Sequence, residues 1–472
     1  MAQSTSDLIE QVRLATRAFA EFGEGLLRPT VRLGVTGLSR AGKTVFITAL
    51  VHGLIRGGRF PVFEPLASGR IAGARLAPQP DDAVPRFEYE RHLRTITVDR
   101  DWPESTRQIS ELRLVIDYQS AGGAMRTLTL DIVDYPGEWL LDLPLLGKSY
   151  EEWSAETLVQ LRKSTRPPLP KPFLEHVATI DPLAPADEGA AIEGARQFTA
   201  YLQACRKEHR TPSLAAPGRF LMPGDLAGSP ALTFAPLELS GDGDPPSGSN
   251  WAMMRRRYDA YRDAIVRPFF REHFARIDRQ IVLVDALSAL DGGPAAVQDL
   301  QDALTAVLSC FRVGRGGWLS TLFRPSADRI LFAATKADLL HHTMHDRLES
   351  FLKRLTATAL TRAGDAGAEV DVIALAAVRA TREAMVRGEG GSLPSIVGTA
   401  AHGEWSGGRQ FDGKTEIALF PGDLPADGLP GGEFRSIRFR PPPLEQTDDG
   451  TPALPHIRLD RALQFLIGDR MS

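Results

Sequence analysis

Apolar residues at the alternate positions Val31, Leu33 and Val35 read as a buried strand, and the run Val45-Phe46-Ile47-Thr48-Ala49-Leu50-Val51 reads as the apolar start of a helix. Further on, residues 109–116 and 128–133 alternate and are joined through Ser120-Ala121-Gly122-Gly123, which predicts a hairpin. Three apolar runs, at 281–286, 330–334 and 370–375, are separated by helical patterns over 295–311 and about 341–362. Runs of that kind suit strands buried on both faces of a parallel sheet, so the pattern predicts an α/β core assembled from two stretches of chain.

Between those stretches the period changes. Residues 138–279 show helical segments divided by Pro-rich connectors and predict a large α-helical insertion; its longest helix runs over about 251–276 with a kink at Pro268. Residues 388–446 are Gly-rich, with short strand candidates at 416–420 and 434–439, and predict a small β-rich insertion before a closing helix over 459–467. A mixed helix is expected over about 7–27, and residues 59–103 read as a long irregular excursion. The predicted division is 1–137 and 280–387 for the two parts of the core, 138–279 and 388–446 for the insertions, and 447–472 for the C-terminal helix.

Composition narrows the class. With 43% hydrophobic and 24% charged residues in 472, the chain has the balance of a soluble globular protein. A net charge of -4 gives no general attraction to nucleic acid or anionic lipid. The two cysteines, Cys205 and Cys310, are far apart and fit a reducing compartment rather than a disulfide framework. Residues 7–27 lack the apolar centre of a secretion signal, and no run of roughly 18 uncharged apolar residues occurs, so a cytoplasmic location and no transmembrane segment are expected.

The candidate chemistry lies at the ends of the predicted strands. Gly37-Leu38-Ser39-Arg40-Ala41-Gly42-Lys43-Thr44 has the spacing of a phosphate loop between strand and helix. There the first helical amides have no partner within the helix and the helix dipole is positive, so phosphate settles on them. Lys43 brings an ammonium to the outer phosphates and Thr44 a hydroxyl to magnesium. Asp134-Tyr135-Pro136-Gly137 leaves the second hairpin strand; its carboxylate suits the magnesium shell and its glycine amide the terminal phosphate. Thr335-Lys336-Ala337-Asp338 ends a later strand, where the Asp338 carboxylate can accept two hydrogen bonds from guanine while the Lys336 stem covers the base. Read alone, these two motifs also suit a simple Asp-Pro-Gly turn and a capped strand-to-helix turn. Ala377 and Val378, in Ala376–Thr381, stand where a backbone amide meets the guanine carbonyl. Trp102, Thr106 and Arg107 precede the hairpin, with Thr106 placed for magnesium and the terminal phosphate and Trp102 for the sugar or base.

Taken in order, these motifs resemble a Ras-like GTPase domain interrupted by large insertions. The strings GLSRAGKT, WPEST, DYPGEW, TKAD and ALAAVRAT are similar to those of the YcjX-like family of bacterial stress-associated P-loop proteins. The resemblance implies a Ras-like core that binds GTP and GDP with magnesium, and a protein partner that includes a membrane protein. Its implied nucleotide contacts are Gly37, Ser39, Arg40, Ala41, Gly42, Lys43, Thr44, Val45, Trp102, Thr106, Arg107, Thr335, Lys336, Asp338, Ala377 and Val378, with Thr44, Thr106 and Asp134 at the metal and Lys43, Thr106, Gly137 and Glu138 at the reacting phosphate. Glu138 stands where small GTPases carry the water-orienting glutamine, so slow hydrolysis is expected. Ser39 and Arg40 add side chains beside the terminal phosphate. The expected function is a guanine-nucleotide switch; an ATP-using, kinase-like enzyme and a nonhydrolysing nucleotide-sensing scaffold are the alternatives.

Overall fold

The computed structural model describes residues 29–37, 40–104, 108–163, 170–207, 217–239, 243–309, 327–365, 367–388, 391–406, 408–424, 434–444 and 454–472. The helix expected over 7–27, Ser39, Thr106, Arg107 and Cys310 lie outside them.

Seven strands form the main sheet in the order β2-β3-β4-β1-β5-β6-β7. These are β1 (Thr30–Gly37), β2 (Ile71–Ala77), β3 (Ser110–Gln119), β4 (Met125–Asp134), β5 (Arg279–Val284), β6 (Arg329–Ala334) and β7 (Glu369–Ala374). The pairs of β1 with β4 and β5, of β5 with β6 and of β6 with β7 are parallel, whereas β2, β3 and β4 pair antiparallel. Successive side chains divide between the two faces. In β5, Ile281 and Leu283 pack with the helix Lys43–Arg56 and the closing helix Leu459–Ile467, while Val282 and Val284 pack with the helical insertion. Both faces are covered, which is why β5 and β6 read as apolar runs rather than alternating.

Residues 59–103 are not irregular throughout. They contain β2, which extends the sheet at its edge, and the helix Tyr89–Arg94. β2 has most of its side chains half-buried or exposed and shifts register between Ile71 and Gly73, so the edge strand shows no clean alternation. The helix expected over 251–276 is also more divided. It runs as Asn250–Tyr261, widens to π-turns over Arg262–Val266, and continues as Arg267–Glu272. The backbone stays helical through Val266 and Arg267, so Pro268 interrupts the ladder of a continuous helix, and the widened turns just upstream accommodate its ring and missing N–H.

The small sheet begins earlier than residue 388. β8 (Arg382–Gly388) pairs with β9 (Gly391–Thr399), and Glu416–Leu419 lies on the other side of β9, so a boundary at 387/388 would cut the hairpin. The strand expected over 434–439 is reduced to a single bridge between Ala400 and Phe439. Its alternate apolar residues Ile437 and Phe439 instead anchor this piece, packing with Ala380, Ile396, Ala400 and Phe411.

Candidate nucleotide site

β1 ends at Gly37, and the helix Lys43–Arg56 starts just beyond Gly42. Gly42 is left-handed at φ 86° and ψ 25°, and Arg40 also has φ 64°. At Gly37 a Cβ would come 2.7 Å from the Leu283 carbonyl oxygen on β5, so the loop can leave the sheet only through glycine. The first helical turn carries no acidic residue, which keeps its positive end uncompensated. Lys43 is buried, and its Nζ donates to the Gly37 carbonyl at 3.2 Å. The Thr44 hydroxyl lies 3.4 Å from the Glu104 carbonyl, to which it donates.

Asp134 closes β4 opposite Val35 of β1, one strand from the loop, and is buried. Its carboxylate and the Thr44 hydroxyl are hard oxygen donors, a set that fits magnesium. Beyond it, a 3-10 helix runs from Gly137 to Gly147, with Glu138 buried in its first turn. This segment is fastened to the helical insertion. A Cβ on Gly218 would come 1.8 Å from the Glu138 carbonyl oxygen, so backbone packs directly on backbone. Asp142 accepts from the Gly218 N–H at 2.6 Å and from the Tyr261 hydroxyl at 2.7 Å. Burial pushes its carboxyl up to about 7, against the opposing pull of those two donors. The Arg219 guanidinium lies over the Trp139 ring, whose Nε1 donates to the Met222 carbonyl at 3.1 Å.

The second corner follows β6. Thr335 donates its N–H to Val284 at 2.9 Å, tying the turn to β5. Lys336 is left-handed at φ 61°, and its ammonium pairs with Asp285. Ala337 donates to the Leu375 carbonyl at 3.0 Å, and the Asp338 carboxylate accepts from the Ala380 N–H at 2.8 Å. The Thr381 hydroxyl donates to the Asp338 carbonyl. Burial raises the Asp338 carboxyl to about 6, although the Ala380 N–H acts in the other direction.

One cavity of about 1300 Å³ joins both corners. Arg40, Ala41, Gly42, Lys43, Thr44, Val45, Trp102, Glu138, Thr335, Lys336, Asp338, Ala377 and Val378 all line it. Gly37, Asp134 and Gly137 are not in its wall. A third wall, which the motifs gave no hint of, comes from the small β-rich piece through His402, Glu404, Lys414 and Arg438. Trp102 lines the cavity, but its indole N–H donates to the Phe439 carbonyl at 2.7 Å, so the ring is tethered to that piece. Arg440 reinforces the seam by donating to the Arg100 and Asp99 carbonyls at 3.0 and 3.1 Å. The apolar alternation over 434–439 was the available sequence signal for this wall.

A phosphate-type corner at the end of β1 and a carboxylate corner at the end of β6, on this strand order, define a Ras-like P-loop protein with a helical and a small β-rich insertion. The chain belongs to the YcjX-like family, DUF463, whose family model matches residues 31–471. It is similar to a protein of Escherichia coli (strain K12) named "Ras-like GTPase YcjX", 38% identical over 463 residues that cover 93% of this chain and 96% of that protein. A protein of the same name from Shewanella oneidensis is 36% identical over 472 residues, covering 94% of this chain and 95% of its own length. A solved signal recognition particle receptor SRb-GTP/SRX complex from Chaetomium thermophilum overlaps 74% of this chain and 91% of its own at 14% identity, with a TM-score of 0.25 too slight to carry an argument. Among the described residues no helix is long and apolar enough to cross a membrane.

Proposed function

We propose that this chain is a guanine-nucleotide-binding protein that takes GTP and GDP with magnesium and hydrolyses GTP slowly as a conformational switch. The observation that carries the reading is the single cavity with the Lys43 corner at one end and the buried Asp338 carboxylate at the other. In this reading the amides from Gly42 onward and the Lys43 ammonium hold the phosphates, with Arg40, Ala41 and Val45 beside them. Thr44 and Asp134, with Thr106, hold magnesium, which when bound offsets negative charge on the phosphate oxygens. Asp338 accepts from the guanine N1–H and exocyclic amine, Lys336 covers the base, and the amides at Ala377 and Val378 meet its carbonyl.

Gly137 senses the terminal phosphate through its amide, and Glu138, in place of a glutamine, leaves the attacking water poorly oriented. The nucleotide state then passes from 134–141 into the helical insertion through the Asp142, Gly218 and Tyr261 contacts. The reading extends to a cytoplasmic protein in a bacterial stress response, with a protein partner that includes a membrane protein.

The test is competition of GDP against ADP for purified protein in magnesium buffer, together with multiple-turnover phosphate release. GDP is expected to displace labelled GTP and ADP is not; equal competition would make the chain an ATP-type enzyme. Phosphate release is expected to fall to background in Lys43→Ala, and a wild-type rate no higher than that of the variant would leave a scaffold without hydrolysis.

A further inference from the structure

Outside the nucleotide cavity, His341, His342 and Glu383 bring three metal-ligating side chains together, with all donor atoms within 4.8 Å of one another. Among the described residues this is the one such grouping. His341 lies three positions past Asp338, and Glu383 is the second residue of β8, so the cluster joins the base corner to the small sheet. Nδ1 of His342 is 2.6 Å from Oε2 of Glu383, and Nε2 of His341 is 3.9 Å from the same oxygen. A tetrahedral ion with bonds of about 2.0–2.1 Å needs ligand atoms roughly 3.3 Å apart. The two observed separations bracket that value, and shifts of under about an ångström by the exposed His342 ring and the Glu383 carboxylate together would satisfy it.

The surroundings prepare the donors. The two rings lie 4.3 Å apart, His341 against the protein and His342 towards solvent, which gives an ion an inner wall and an entrance. Nδ1 of His341 is 3.0 Å from the Thr343 hydroxyl and 3.5 Å from the Thr343 N–H, which donates to it; an ion at Nε2 requires the tautomer that instead carries the proton on Nδ1 and donates it to that hydroxyl. Arg379 approaches the other oxygen, Oε1, at 3.5 Å, and its Nε is fixed on the Thr381 carbonyl at 2.9 Å. The arginine thus orients the carboxylate while Oε2 stays with the histidines. Two imidazoles and one carboxylate oxygen suit zinc, cobalt, nickel or copper(II) and not magnesium, which favours an all-oxygen shell.

We propose that His341, His342 and Glu383 bind one divalent transition ion of the zinc type and that the ion clasps the base corner to the start of β8. Ala380 and Thr381, which hold Asp338, lie three and two residues before Glu383. The ion therefore stiffens the support of the carboxylate that selects the base. This second part rests on the proposed guanine site; the ion site itself does not. Linkage requires that an ion raising GDP affinity be bound more tightly, by the same factor, when GDP is present.

The experiment titrates cobalt(II) into the untagged full chain, reads the visible absorption of a four-coordinate site, and displaces the ion with zinc. His342→Asn and Glu383→Gln serve as variants, and their melting without metal reports folding. Saturation by one ion per chain in the micromolar range is expected, weakened at least about tenfold in each variant while the metal-free melting is unchanged. No saturable binding, or equal binding in both variants, overturns the site. GDP affinity measured with and without zinc is expected to rise in the wild type and stay flat in His342→Asn. Ion binding without any change in GDP affinity overturns the clasp and leaves the ion site; absence of GDP binding with a normal cobalt signal faults the guanine reading instead.

Discussion

The two ends of the nucleotide cavity are built by different means. At the phosphate end the geometry is nearly local: Gly42 turns left-handed and Lys43 bends back onto the Gly37 carbonyl, with the approach of Gly37 to Leu283 the long-range exception. At the base end almost nothing is local. Asp338 is held from Ala380 and Thr381, Lys336 from Asp285, Ala337 from Leu375, and the roof arrives from residues around 402–440. A site made of backbone turns tolerates changes elsewhere in the chain, whereas one made of long-range contacts inherits the stability of every element that supplies a partner.

That contrast can be broken or sharpened by substitution. The largest effect is expected where backbone meets backbone behind the phosphate end: Gly218→Ala drives a Cβ to 1.8 Å from the Glu138 carbonyl. Overpacking that cannot relax through a side chain costs about 3 kcal/mol or more, checked by urea unfolding. Lys43→Ala follows, removing a charge-assisted contact and lowering GDP affinity by about 2–3 kcal/mol, roughly 30- to 150-fold, with folding unaffected. Asp338→Asn is expected to weaken GDP by about 2 kcal/mol and to favour xanthosine diphosphate, whose added carbonyl accepts from the new amide. Calorimetry with both nucleotides reads it, and unchanged preference would contradict the base assignment.

The next effect is in pH. On the proposed reading guanine needs the Asp338 carboxylate ionised, and burial raises its pKa to about 6. Binding therefore releases a proton below that value. Affinity for GDP should be flat above pH 6 and fall by up to about tenfold per unit below it, and Asp338→Asn should lose that component of the slope. The smallest effect is at the roof: Trp102→Phe deletes the N–H donated to Phe439 and is expected to cost about 1 kcal/mol, read as a lower melting temperature with hydrolysis otherwise intact.

Legibility in the sequence follows the same division. The strand, loop and helix around Gly37–Thr44 were readable because their requirements are backbone requirements, written in glycine spacing and apolar period. The central strands β5 and β6 were readable because burial on both faces leaves apolar runs, and the edge strand β7 was readable from its buried second half, Val372–Ala374. β2 was not, since an edge strand is half-exposed and this one shifts register between Ile71 and Gly73. β8 was missed because Arg382, Glu383 and Arg387 are charged and Met385 lies exposed, so no buried face marks it. Of the third wall only the apolar alternation over 434–439 was legible, not what it meets. The wall depends on Trp102, Arg100 and Arg440 meeting Phe439, Pro441 and Asp99 across more than three hundred residues, and no local pattern encodes a partner at that separation.

The most direct measurement is a crystal structure of the full chain with magnesium and GDP. The account predicts the β-phosphate on the amides of Gly42, Lys43 and Thr44, and the guanine N1–H and exocyclic amine on the Asp338 carboxylate beneath Ala377 and Val378. Electron density for the nucleotide that leaves the Lys43 corner vacant, or a base turned away from Asp338, would contradict it.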